Sequence, residues 1–137
     1  MKKTILTLFL AAISFGAMAD WVRLWGNEVL EGYANNDSFR KKGKNVVTQN
    51  MFDFKTPWEY DGNEYLSSVA LYEFDCVKEK ARSLESIFYA ENKGSGTIVD
   101  SWSSPYPWKA VHPATPLYSF MNYACEKISQ QSQGGQQ

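Results

Sequence analysis

The side chains with the most reactive chemistry in this sequence are two cysteines and one histidine. Cys76 and Cys125 are the two thiols, and His112 is the single imidazole. A Cys–His nucleophilic pair needs a free thiolate, and a zinc site normally takes three or four such ligands. If the two cysteines form a disulfide, neither chemistry is available. Two buried free thiols are the alternative.

The sequence carries no other assembled catalytic motif. No Gly-x-Ser-x-Gly segment supports a Ser-His-Asp triad. Gly94-Ser95-Gly96 lacks the lysine and the following helix of a phosphate-binding loop. A structural or solvent-exposed role is the simpler interpretation of His112. The sequence therefore predicts a protein that is not an enzyme, with no catalytic residue, no metal site and no cofactor.

Two basic clusters could bind an acidic partner. Residues 40–44 (RKKGK) form the tip of a predicted hairpin, and Lys78, Lys80 and Arg82 follow the first cysteine. The even spacing of these three would place them on one strand face. Basic residues on a solvated strand edge usually block aggregation, but they also suit acidic or sulphated extracellular partners. Lys78, Lys80 and Arg82 are therefore the candidate partner-binding residues.

Exposed aromatic side chains could add anchors to such a surface, because aromatic residues are enriched at interfaces. The candidates are Trp58, Trp102, Tyr106 and Trp108. Packing in the core is the alternative use of these rings.

The first cysteine is positioned by a predicted strand, Tyr65 to Cys76 (YLSSVALYEFDC). Its even positions form one mostly apolar face that ends in Cys76, which is the period of two typical of strands. The second cysteine is positioned by a predicted helix. Thr115 fits the N-cap and Pro116 the first helical position. Apolar residues then recur with helical spacing, and Cys125 lies on that apolar face, directed at the sheet.

Further strands are predicted on both sides of the central one. They cover residues 20–25, 28–34, 39–40, 46–54, 97–102 and 108–111, with a loop at 55–63. Residues 78–91 are ambiguous: Leu84, Ile87 and Phe88 could form a helical stripe, but the aromatic end and the following turn favour a strand. Gly32 indicates a bulge or a close backbone approach. The fold class is α+β, an antiparallel sheet of about six strands with a C-terminal helix on one face and one disulfide.

The first 19 residues have the pattern of a secretory signal, with cleavage predicted after Ala19. Lys2 and Lys3 precede an apolar centre and a small-residue site. That centre is shorter than the roughly 20 residues of a membrane span, although a membrane or buried helix is the alternative. No cysteine lies at the cleavage site, so we expect an exported protein without a lipid anchor. It would be located in the periplasm or at the cell surface. Export into an oxidising compartment favours the Cys76–Cys125 bridge.

The predicted mature chain contains one domain, residues 20–128, and a disordered tail, residues 129–137 (SQQSQGGQQ), which has no apolar residue. Without Lys2 and Lys3, the 14 basic residues fall to 12, against 15 acidic ones. The resulting net charge of −3 gives no reason to expect nucleic acid or an anionic membrane as a partner.

The ordered motifs resemble the surface-adhesin protein E family of Gram-negative bacteria. They run from Tyr33-x-Asn35-x-x-Ser38-Phe39-Arg40-x-x-Gly43 through Phe52-Asp53-Phe54-Lys55, Tyr65-x-Ser67, Phe74-Asp75-Cys76 and Trp108-x-x-Val111-x-Pro113-x-Thr115 to the helix that contains Cys125. The resemblance implies a six-stranded antiparallel sheet with a packed helix and a disulfide. It also implies binding of host matrix and serum proteins, such as vitronectin and laminin, and a dimeric form.

Two functions therefore follow from the sequence. The first is an exported adhesin that binds host extracellular proteins through the basic strand region. The second is a soluble periplasmic module that binds an endogenous envelope protein or a small ligand.

Overall fold

A computed structural model describes residues 19–134, so the predicted signal peptide lies outside the described residues except for Ala19. The chain forms one antiparallel sheet and one long helix. The elements are β1 (Trp21–Gly26), β2 (Leu30–Asn35), β3 (Arg40–Lys42), β4 (Asn45–Tyr60), β5 (Asn63–Asp75), β6 (Lys80–Tyr89), a short 3-10 turn (Asn92–Gly94), β7 (Ile98–Trp102), β8 (Lys109–Ala110) and α1 (Pro116–Gly134).

Six strands form the main path of the sheet, in the order β1-β2-β4-β5-β6-β7. The two short strands lie off this path: β3 pairs with β4, and β8 pairs with β6. The predicted class is confirmed: an antiparallel sheet with one C-terminal helix and one disulfide. The ambiguous segment 78–91 contains strand β6, so the interpretation as a strand is correct.

Helix α1 begins at Pro116, as predicted, where the Thr115 hydroxyl accepts a hydrogen bond from the Tyr118 amide. It continues to Gly134, into the segment for which the sequence predicted disorder. Once a helix has formed, each added residue gains one hydrogen bond, and glutamine is a good helix former. The segment 129–134 therefore continues the helix although its sequence has no apolar residue. Residues 135–137 lie outside the described part of the chain.

The face of β5 that was predicted to be buried packs against α1. Val46, Phe74, Phe120, Met121 and Ala124 form the centre of this core, and each is at most 2% exposed. The apolar face of the sheet, which repeats every two residues, therefore packs against the apolar face of the helix, which repeats every 3.6 residues.

The opposite face of the sheet is also covered, which the alternation in β5 did not predict. The 3-10 turn folds back over it, and the Gly94 amide donates to the Ser67 hydroxyl at 2.9 Å. The Lys93 ammonium lies 3.9 Å from the Tyr33 ring centroid and 3.7 Å from an Asp53 carboxylate oxygen. These polar contacts and the small cluster of Tyr33, Met51 and Val69 bury a face that looks half polar in the sequence.

The predicted loop at 55–63 is wrong in its first part, because β4 continues to Tyr60 and turns through Asp61 and Gly62 into β5. Pro57 was a reason to predict a loop, because proline cannot donate a hydrogen bond to a neighbouring strand. The register between β4 and β5 shifts between Asp53 and Trp58. Irregular pairing of this kind accommodates a proline within a strand.

Gly32 on β2 allows the helix to approach the sheet. A Cβ atom at this position would lie 2.7 Å from Cζ of Phe120, which is fully buried. We expect Gly32→Ala to lower the free energy of unfolding by about 1–3 kcal/mol, the usual cost of overpacking a core. Urea unfolding would measure the change.

The control for this prediction is a double-mutant cycle with Phe120→Leu, which shortens the opposing side chain. Because the two positions are in contact, the double variant should lose less stability than the two single variants added together. Additivity within about 0.5 kcal/mol would show that the alanine methyl does not meet the ring.

Candidate functional site

The disulfide fixes α1 to the end of the central strand. Cys76 and Cys125 are bonded, with their Cα atoms 5.9 Å apart, as the sequence predicted. Neither sulfur is therefore available as a nucleophile, and His112 lies exposed before the helix. Among residues 19–134, no three His, Cys, Asp or Glu side chains are grouped closely enough to hold a metal ion. In the same range, no helix has both the length and the apolar content needed to cross a bilayer.

The topology brings the two basic clusters of the sequence to the same end of the sheet. Val46 at the start of β4 pairs with Phe74 at the end of β5, and Asp75 pairs with Lys80 at the start of β6. The β3–β4 turn is therefore adjacent to the β5–β6 turn. We call this surface the basic end; its exposed cations are Arg40, Lys41, Lys42, Lys44, Lys78 and Lys80.

Of the three predicted partner-binding residues, Lys78 and Lys80 belong to this surface and Arg82 does not. Lys78 lies in the turn before β6, and Lys80 is the first residue of the strand. Arg82 points to Glu73 instead, with its Nε and Nη2 atoms 3.0 and 2.8 Å from one carboxylate oxygen. The Trp108 ring lies 4.6 Å from the Arg82 guanidinium carbon. Arg82 therefore acts as a structural cation beneath the basic end.

Glu73 is the buried anion that organises this region, with 2% of its surface exposed. Its carboxylate accepts hydrogen bonds from Arg82, from Lys42 at 3.3 Å and from the Asn45 amide at 2.8 Å. Burial acts to raise the pKa of Glu73, but the hydrogen bonds from Asn45, Arg82 and Lys42 outweigh it and lower the pKa. Glu73 thus links β3, β4, β5 and β6 at one point.

A second surface lies on the same face of the sheet as α1, beyond the part that the helix covers. It is a cavity of about 440 Å³, which we call the aromatic trough. Its lining carries Phe54, Trp58 and Tyr60 from the β4–β5 hairpin, and Phe88, Trp102 and Tyr106 from β6, β7 and the segment after β7. The floor is made of small residues on β5 and β6, namely Ser68, Ala70, Ser83 and Ser86.

The aromatic lining of the trough is held by ring contacts and by a hydrogen bond. Tyr60 stacks on Phe88 with the ring centroids 4.4 Å apart, and Trp102 meets Tyr106 edge to face at 4.5 Å. The Tyr106 amide donates to the Ser83 carbonyl at 2.9 Å, so the segment between β7 and β8 follows the edge of β6. Trp58 and Tyr106 remain 45% and 47% exposed on the rims. The trough is therefore formed without a ligand, as is usual for binding sites.

Three of these rings, Trp58, Trp102 and Tyr106, are among the candidate anchors predicted from the sequence, but no pattern in the sequence predicts that they share a site. Trp58 was assigned to a loop, and the trough depends on the continuation of β4 to Tyr60. The small floor residues on β5 and β6 are the other feature of the sequence that indicates the trough. Serine and alanine at Ser68, Ala70, Ser83 and Ser86 leave the space that the rings surround.

The structure of Haemophilus influenzae protein E is similar to this chain, with a TM-score of 0.60 and 16% identity over 78% of this chain and 84% of that one. A second crystal form of that protein gives a TM-score of 0.61, with 16% identity over 78% and 87%. Protein E from non-typeable Haemophilus influenzae gives 0.60, with 15% identity over 80% and 78%. At this identity the likeness concerns the fold. No curated protein sequence shows significant similarity to the chain.

The family comparison adds what the fold alone cannot. The family model described as surface-adhesin protein E matches residues 21–126, a range that includes every strand and both cysteines. Because this match covers most of the chain, the protein belongs to the surface-adhesin protein E family.

Proposed function

We propose that this protein is an exported, non-enzymatic adhesin that binds host extracellular proteins of the vitronectin or laminin type at its basic end. Its membership in the surface-adhesin protein E family is the observation that carries the proposal. The basic end supports it, because exposed cations from two turns meet there and attract acidic partners. Removal of a signal peptide after Ala19, the absence of a lipid anchor and a dimeric state are further predictions. Mass spectrometry and light scattering of the protein isolated from cells would test them.

The basic end is tested by Lys78→Ala/Lys80→Ala. We expect this double variant to bind immobilised vitronectin about tenfold more weakly, since two exposed charges of roughly 0.5–1 kcal/mol each are lost. Binding by the unsubstituted protein should also weaken as sodium chloride rises, because salt screens contacts between exposed charges.

The control is Lys55→Ala, which removes an exposed charge from the part of β4 that lies far from the basic end. It should bind vitronectin as the unsubstituted protein does. Binding of the Lys78→Ala/Lys80→Ala variant that equals binding of this control would remove the basic end from the site. Arg82→Ala is expected to act differently. It should lower the stability of the fold, because the buried Glu73 carboxylate loses its ion pair with Arg82.

A second candidate function is a soluble periplasmic module that binds an endogenous envelope protein or a small ligand. The aromatic trough favours it, because a preformed concave site of several hundred Å³ is typical of ligand pockets. Localisation separates the two candidates. Protease added to intact cells should cut an adhesin at the surface and leave a periplasmic protein whole.

A further inference from the structure

We propose that the aromatic trough binds an extended, proline-rich segment of a partner protein, with an acidic residue beside the prolines. The trough and the basic end lie at different places on the sheet, so this inference goes beyond the proposed adhesin function. It applies at the cell surface and in the periplasm alike.

The charge of the lining residues limits what the trough can accept. None of its 14 lining residues is charged. A charged group that entered it would lose its water without gaining an opposite charge, which is costly. An adjoining cavity of about 250 Å³ shares Tyr72, Ser83 and Tyr106 with the trough, and there Lys109 and Arg82 form part of the lining. The complementary ligand is therefore uncharged along the trough and anionic where it leaves toward Lys109.

The polar atoms of the trough favour a ligand rich in hydrogen-bond acceptors. Its lining includes tyrosine and serine hydroxyls and tryptophan N–H groups, all of which can donate. Burial raises the pKa of Tyr72 to about 12, so that hydroxyl keeps its proton at physiological pH. The buried hydroxyl of Ser83 has no hydrogen-bond partner within the described protein. A change of its χ1 rotamer would turn this donor toward a bound carbonyl.

A polyproline II segment has the matching properties. Its backbone carbonyls have no internal partners, and each proline lacks the N–H that would need an acceptor. Its rings pack on aromatic side chains, the mode by which several small domains recognise such segments. An acyl chain would leave the hydroxyls unsatisfied. A sugar would meet no carboxylate or amide side chain along the trough. The exposed rings of Trp58 and Tyr106 are the contacts that we expect to matter most.

The test starts from a phage library of random decapeptides, selected on the mature chain of residues 20–137. We expect the recovered peptides to carry several prolines with an aspartate or glutamate to one side. One of them would be synthesised with a fluorescent label and titrated. Trp58→Ala and Tyr106→Ala should each weaken its binding at least tenfold, and Lys109→Ala should weaken it about fivefold. The Lys109 effect should vanish for the same peptide with its acid replaced by the amide.

Three controls make the result specific. Trp108→Ala removes an exposed tryptophan that lines neither cavity, and it should leave peptide binding unchanged. Lys78→Ala/Lys80→Ala should also leave it unchanged, so failure at the basic end and failure at the trough are distinguished. Ser83→Ala should weaken binding without lowering Tm, because the hydroxyl forms no bond in the free protein.

Three outcomes would overturn the proposal. The first is a set of selected peptides without enriched proline, and the second is binding that is insensitive to Trp58→Ala. The third is binding of palmitate or maltohexaose, measured by calorimetry, that Trp58→Ala abolishes while no proline-rich peptide competes.

Discussion

Replacement of both cysteines, Cys76→Ala/Cys125→Ala, is expected to lower the free energy of unfolding by about 4 kcal/mol. The bridged residues are separated by 49 positions. The bridge keeps this loop closed in the unfolded chain, which lowers the conformational entropy of the unfolded state and so stabilises the folded one. The variant also loses a tether at the one place where helix and strand are covalently joined. Urea unfolding of the oxidised protein and the variant would measure the difference.

Reduction of the unsubstituted protein provides the control for the double variant. It breaks the same loop without changing the sequence, so the reduced protein and the variant should agree in stability within about 1 kcal/mol. Reduction also preserves the packing of both side chains, which separates the loss of the tether from the loss of contacts. Unfolding of the oxidised protein and the double variant at the same urea concentration would contradict this expectation. In that case the 49-residue separation would contribute nothing measurable.

The disulfide could be predicted from the sequence because both cysteines follow simple periods. Cys76 ends an alternating strand, and Cys125 lies on the apolar face of a helix with a clear Thr115–Pro116 start. Local patterns of this kind report which side of an element faces the core. The glycine within the predicted strand also indicated a bulge or a close backbone approach at Gly32, and the ring that contacts it, Phe120, lies 88 positions later in the chain.

Contacts between one element and another could not be predicted in the same way. Arg82 looked like a surface cation, yet it pairs with Glu73 across two strands. The alternation in β5 indicated one buried face, although the turn at Asn92–Gly94 covers the other. The trough required β4 to continue past Pro57, which a proline in a strand argues against. In the first two cases the deciding residue lies 9 or more positions away, and no period in the sequence records it.

Glu73→Gln is expected to lower the free energy of unfolding by about 3 kcal/mol at pH 7. The substitution keeps the shape of the side chain but removes the anion that Arg82 and Lys42 share. Both cations are partly exposed, with 26% and 56% of their side chains accessible, so they recover some hydration. The expected loss therefore lies at the lower end of the range for a broken buried pair. Glu64→Gln, at an exposed position on the same strand, should change stability by less than about 0.5 kcal/mol.

The pH dependence distinguishes the charge of Glu73 from its packing. The folded protein lowers the pKa of Glu73 below its ordinary value of 4.5. Its contribution is therefore complete above the unfolded pKa and is lost as the pH falls through the folded pKa. We expect the stability difference between the unsubstituted protein and Glu73→Gln to be full at pH 7 and to shrink as the pH is lowered below about 4. A difference that stays constant down to pH 2 would mean that the loss comes from the altered hydrogen-bonding groups of the side chain, and not from the ion pairs with Arg82 and Lys42 beneath the basic end.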